Sequence, residues 1–143
     1  MRKVIVVLVL IAAACASSTS SGPAVSIEQT SSVAALLAET ATRVPVDYQL
    51  KIANRFDRPL VLRSVEIETM GVAGAYALPR VRHVFNTTVA PREATTVNLR
   101  AWVQPLVMTN EGQVVTSVLL RGVATFDDGG KRVKSAFTTR AQQ

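Results

Sequence analysis

The stretch VLLRGVATFDDGGKRVKSAF (118–137) constrains the fold of this chain more than any other. On both sides of Asp127, Asp128, Gly129 and Gly130, apolar residues recur at every second position. Period two is the pattern of a strand with one buried face, because successive side chains leave opposite faces of an extended backbone. Paired glycines accept the positive φ that tight hairpin turns require. The spacing therefore predicts a strand over 113–126, a turn at 127–130 and a return strand over 131–139 that faces Val133 and Phe137 inward.

The same period recurs upstream. In 47–53, Tyr48, Leu50 and Ile52 alternate with Asp47, Gln49, Lys51 and Ala53. Residues 59–68 read as a strand with Val61, Val65 and Ile67 in phase and Arg63 breaking the pattern. Residues 76–85 are a weaker strand, placed at an edge because Pro79 has no N–H for a ladder. After the turn at 90–93, Val97, Leu99, Ala101 and Val103 alternate with Thr96, Asn98, Arg100 and Trp102. Only 31–41 has a helical option, and it can equally join the first strand. Short strands at this spacing, without a helical pattern between them, predict an all-β antiparallel β-sandwich of about six to eight strands. Val97, Leu99, Leu120, Val133 and Phe137 are expected in one core between the sheets. A chain of 143 residues is one domain long, and we assign the sandwich to residues 24–143.

The first 14 residues belong to no fold. Arg2 and Lys3 precede an apolar run of 11 residues (4–14) that ends in Ala12, Ala13 and Ala14. This is the layout of an export signal, and it is too short to cross a bilayer, which takes about 20 apolar residues. Cys15, the only cysteine, follows at once, and ASSTSSGP (16–23) has the composition of a flexible tether reaching roughly 15 Å. Ala13, Ala14 and Cys15 resemble the end of a bacterial lipoprotein signal, with Ala12 where that signal commonly has Leu. The resemblance implies cleavage after residue 14, lipidation of Cys15 and a membrane anchor; Ala16 after the cysteine implies sorting to the outer membrane, facing the periplasm. The alternative is an ordinary secretory signal cut nearby, with Cys15 lost or left as a thiol. An exported protein with one unpaired thiol is chemically awkward, and acylation removes that thiol.

VDYQLKIANRFDRPLVLRSVEIETMGV (46–72), VAPREATTVNLRAWV (89–103) and the 118–137 stretch together resemble the late-embryogenesis-abundant type 2 domain, also found in bacterial lipoproteins. Asn54 matches the Asn of that family's Asn-Pro motif, with Arg55 in place of the proline. The resemblance implies an immunoglobulin-like sandwich, a non-catalytic envelope or stress-related role, and no active-site residues.

Chemistry-bearing patterns are sparse. His83 is the sole histidine and no His or Cys spacing suits a metal, so neither a metal nor a cofactor is expected. There is no Gly-x-Ser-x-Gly elbow and no phosphate-cradling glycine loop. Asp127 and Asp128 could suggest calcium, but a tight turn accounts for all four residues of the Asp-Asp-Gly-Gly run. Of 16 Lys and Arg, Arg2 and Lys3 lie in the leader, which leaves 14 against 10 acidic residues, interleaved along the chain. That scatter argues against nucleic acid, whose binders concentrate charge in a stripe.

Two features point to a partner surface. Trp102 falls on the polar phase beside Asn98 and Arg100, where an exposed indole would anchor an interface unless a bulge before Pro105 turns it inward. Arg80 and Arg82, two apart, share a face that could meet acidic headgroups or an acidic protein, or simply stay solvated at an edge. The expectation is a tethered binding or accessory module of the cell envelope with a membrane anchor at Cys15 and an envelope protein as its partner. A stress-protective or structural lipoprotein without a specific ligand is the alternative, and an enzyme is not expected.

Overall fold

The computed structural model describes residues 22–32, 42–71, 74–106, 109–110, 113–114 and 117–141. The strands are β1 (Ala24–Gln29), β2 (Val44–Ala53), β3 (Leu60–Thr69), β4 (Tyr76–Ala77), β5 (Val81–Val89), β6 (Ala94–Pro105), β7 (Thr109–Asn110), β8 (Gln113–Val114), β9 (Val118–Asp128) and β10 (Lys131–Ala141). Eight of them form two four-stranded antiparallel sheets, ordered β1-β2-β6-β4 and β10-β9-β3-β5, while β7 and β8 pair separately. No helix occurs among the described residues. The fold is an all-β, immunoglobulin-like sandwich. Cys15, the signal at 1–14, most of the tether at 15–23 and most of the 31–41 segment lie outside the described residues.

The β9–β10 hairpin closes as its sequence dictates. Asp128 pairs with Lys131, Gly129 and Gly130 take φ of 59° and 92°, and the Gly130 N–H donates to Asp127 Oδ1 at 2.7 Å. Leu99, Leu120 and Phe137 are buried in one core, and Val97 and Val133 pack against it half-buried.

Three elements depart from the pattern in the sequence. The strand expected over 113–126 is seen from Val118 on, where its described ladders start: β10 reaches back to Val118 and β3 to Leu120. Residues 113–114 belong to the small β7–β8 ribbon instead. Within β3 the register shifts between Leu62 and Ser64, so Arg63 sits at a bulge. A bulge adds one residue and resets the phase: Leu60 and Leu62 face inward before it, Val65 and Ile67 after it, and Val61 falls outside the core set. The weak strand at 76–85 is in fact two strands. Tyr76 and Ala77 pair with β6, residues 78–80 cross to the other layer, and β5 forms the edge of the second sheet. Pro79, unable to donate, lies in that crossing.

Asn54 closes one end of the sandwich. Its Nδ2 donates to the carbonyls of Arg58, Val89 and Ala90 at 2.8–3.1 Å, and its Oδ1 accepts the Phe56 N–H at 3.0 Å, tying the β2–β3 turn to the β5–β6 turn. The chain enters β1 at one edge of the sandwich, where Ser135 Oγ of β10 donates to the Pro23 carbonyl. At the opposite edge β5 and β6 face each other across a seam.

Candidate functional site: an arginine-lined cleft at the β5–β6 seam

β6 runs from Ala94 to Val103 in unbroken register with β2, so no bulge rotates Trp102. Its indole stays on the polar phase, 58% exposed, opposite Pro45. Beside it a cleft of about 310 Å³ opens at the seam. Arg82 and His83 of β5, Arg100, Trp102 and Gln104 of β6, and Arg43 just before β2 line it. Three of these are arginines, and none of the described residues lining the cleft is a carboxylate.

The guanidinium groups are not equally available. Arg100 is held from outside the cleft by Asp47, through contacts of 2.6 and 3.0 Å. That hydrogen bond holds the Asp47 carboxyl below the usual carboxylate range and raises Arg100. Arg82 approaches Glu66 only at 4.0 Å. Arg43 is exposed and makes no ion pair with a described residue. Arg43 and Arg82 therefore carry the positive charge that the cleft can offer.

His83 has the inward phase of β5. Its Nε2 is buried without a hydrogen-bond partner, and burial lowers its pKa, which keeps the ring neutral at physiological pH. It shapes the wall of the cleft and adds no charge to it.

The residues singled out in the sequence are divided by the fold. Trp102 and Arg82 meet at the cleft. Arg80, just before β5, turns to Glu68, which also accepts Arg121 of β9. These contacts hold Glu68 low and line a separate basin of about 360 Å³ with Glu66 and Phe137. Arg80 is thus committed to Glu68 of β3 and does not reach the cleft. Asp127 and Asp128 are occupied in the same way, by Arg63 with the Gly130 N–H and by Arg58. Arg43 was not singled out in the sequence and His83 stood there only as a lone histidine, because only the folded topology brings residues from before β2 and from β5 beside β6. The described residues contain no cluster of three or more His, Cys, Asp or Glu able to hold a metal.

Fold and cleft together define an immunoglobulin-like sandwich whose open seam carries an exposed indole between guanidinium groups. No family model matches the chain, and no curated protein matches it. Several solved structures are similar in fold. The X-ray structure of Northeast Structural Genomics Consortium target SoR45 superposes with a TM-score of 0.57 at 12% identity, over 84% of each chain. The crystal structure of a protein from Archaeoglobus fulgidus gives 0.50 at 14% identity, over 82% of this chain and 92% of that one. At these identities the likeness is one of architecture.

Proposed function

We propose that this chain is a lipid-anchored, non-catalytic module of a bacterial cell envelope that binds an envelope protein through the β5–β6 cleft. The observation that carries the reading is Trp102. A large aromatic ring, more than half exposed on a straight strand between guanidinium groups, contributes little to the core, whereas aromatic and Arg side chains are the residues that anchor interfaces. A purely protective or structural lipoprotein needs no such cleft. Its guanidinium and indole groups are suited to binding, since guanidinium stays charged at any physiological pH and an indole donates without titrating.

The position of the cleft also suits an anchored domain. Ala24, Ala53 and Ala94 stand in one row across β1, β2 and β6, and Trp102 lies eight residues further along β6. At about 3.3 Å per residue and 4.8 Å per strand, Ala24 and Trp102 are roughly 28 Å apart. A lipid on Cys15 would attach the domain at the start of β1, that distance from the cleft, and a flexible tether leaves the cleft free to meet a partner.

The test is a photo-crosslinking residue at position 102 in intact membranes, with position 96 on the same sheet face as the control. A discrete protein adduct from 102 and none from 96 is expected; equal labelling from both, or lipid adducts alone, would remove the binding role.

A further inference from the structure

We infer that the seam takes an acidic, extended segment of the partner protein, added as a strand along β5 with its carboxylates against Arg43 and Arg82 and an apolar side chain on Trp102. This deepens the binding reading above and rests on it.

The backbone supplies the first reason. Among the described residues β5 is the last strand of its sheet and pairs only with β3. β6 meets β4 only through Gln104 and Pro105, so among the described residues its edge from Ala94 to Val103 has no partner either. An unpaired strand edge is a row of N–H and C=O groups set for one more strand. The other edges are protected: β1 and β10 lie against each other through Pro23 and Ser135, and β4 is two residues long. β5 is nine residues long and contains Val84, which is 80% exposed.

Charge selects the occupant. A second copy of this chain, pairing β5 with β5, would bring Arg82 of each copy toward an edge of the same sign, and like charges on an edge oppose such pairing. An acidic strand meets Arg43, which has no ion pair among the described residues, and Arg82, whose contact with Glu66 is long. Binding to anionic headgroups of the anchoring membrane is the competing outcome, which the phosphatidylglycerol vesicles below distinguish.

The experiment uses the full chain in nanodiscs of neutral lipid and two readouts: fluorescence of Trp102, the only tryptophan, and hydrogen exchange of the β5 amides. The probes are a short peptide alternating Glu and Val, its Lys and Val counterpart, free glutarate, and vesicles containing phosphatidylglycerol. The Glu–Val peptide is expected to shift the Trp102 emission and slow exchange along Val81–Val89, and the Lys–Val peptide to do neither. Arg82→Glu, with an unchanged circular dichroism spectrum, is expected to weaken the Glu–Val peptide on the order of tenfold and to admit the Lys–Val peptide. Should Arg82→Glu misfold, Arg43→Glu carries the same test.

Several results would overturn the inference. They are glutarate shifting Trp102 with no slowing at β5, equal binding of both peptides, binding of the vesicles alone, slow β5 exchange from self-association without peptide, and no response to any probe. In each case a protein adduct from position 102 would still leave the binding role standing, so the two readings fail separately.

Discussion

The phenol of Tyr48 donates to the phenol of Tyr76 at 2.8 Å inside the sandwich, and Tyr76 in turn donates to Gln29 Oε1 at 2.6 Å. Gln29 Nε2 continues the chain to the Ser31 carbonyl. This relay ties the short β4 to β2 and the end of β1, and both rings are almost wholly buried. The roles are unequal. Tyr76→Phe leaves the Tyr48 hydroxyl without an acceptor and Gln29 without a donor, whereas Tyr48→Phe leaves the Tyr76–Gln29 bond intact. Tyr76→Phe should cost about 1–3 kcal/mol and Tyr48→Phe about 1 kcal/mol or less, read from urea unfolding midpoints at constant slope. A larger loss for Tyr48→Phe would mean that the relay does not hold β4.

Burial holds both phenols neutral: Tyr48 is raised, and Tyr76 is pushed up from 10.0 to about 12. A folded-state pKa above the unfolded one stabilises at every pH below the unfolded value and loses that contribution as pH rises through the folded value. Stability should therefore fall between pH 10 and about 12. Tyr48 and Tyr76 are the only tyrosines, so phenolate absorbance reports on this pair alone. It should stay silent until the fold opens, and phenolate appearing near pH 10 while the sandwich remains intact would contradict the burial.

How much of this was legible in the sequence depends on whether a property belongs to a residue or to its neighbours across the sheet. The turn at 127–130 was readable because positive φ is a demand that Gly129 and Gly130 meet by themselves. The exposure of Trp102 was readable from phase once no bulge intervened. Arg63 was visible as a break, but the shift of phase after it depends on how β3 pairs with β5 and β9. Pro79 announced a missing donor without showing that the chain crosses between layers there. Arg43 could not be placed in the cleft at all, since its neighbours come from strands far along the chain.

Gly122 is such a case, ordinary in sequence and critical in register. It pairs with Phe137, and a Cβ on it would stand 2.3 Å from Phe137 Cζ and 2.5 Å from the Glu66 carbonyl oxygen. The ring can move, but the strand carbonyl cannot without breaking its ladder. Gly122→Ala should cost about 1–3 kcal/mol by overpacking. Phe137→Ala, which empties a buried site, should cost roughly 3–5 kcal/mol alone and less in the Gly122→Ala background, where losing the ring also relieves its clash with the new Cβ. Strict additivity in thermal or urea unfolding would show that the ring does not lie over the glycine.

Asn54 is buried and uses its donors on three carbonyls and its acceptor on one N–H. Asn54→Ala orphans those groups and should cost about 2–3 kcal/mol. Asn54→Asp is the sharper test, because a carboxylate accepts only and would face the three carbonyls. It should be less stable than Asn54→Ala at neutral pH and recover as the pH falls through the carboxyl range, where protonation restores a donor. A variant indifferent to acid would show that the side chain has turned away from the carbonyls.

The anchor proposed at Cys15 has the largest expected consequence for where the protein resides. Each buried methylene contributes about 0.8 kcal/mol, one acyl chain holds a protein marginally, and two make anchoring stable. A diacylated cysteine would thus outweigh any attraction of the surface arginines for a membrane, most of which are spent on carboxylates within the sandwich. Cys15→Ala should release the chain into the soluble fraction, or leave its precursor uncleaved in the membrane. The sandwich should remain intact in both cases, because the strands begin at Ala24 and the deepest core residues lie in β2, β3 and β9. Mass spectrometry of the mature N-terminus decides the matter: a lipid-modified peptide beginning at Cys15 is expected, and an unmodified start at any other residue would show that the leader is an ordinary secretory signal and that the cleft works untethered.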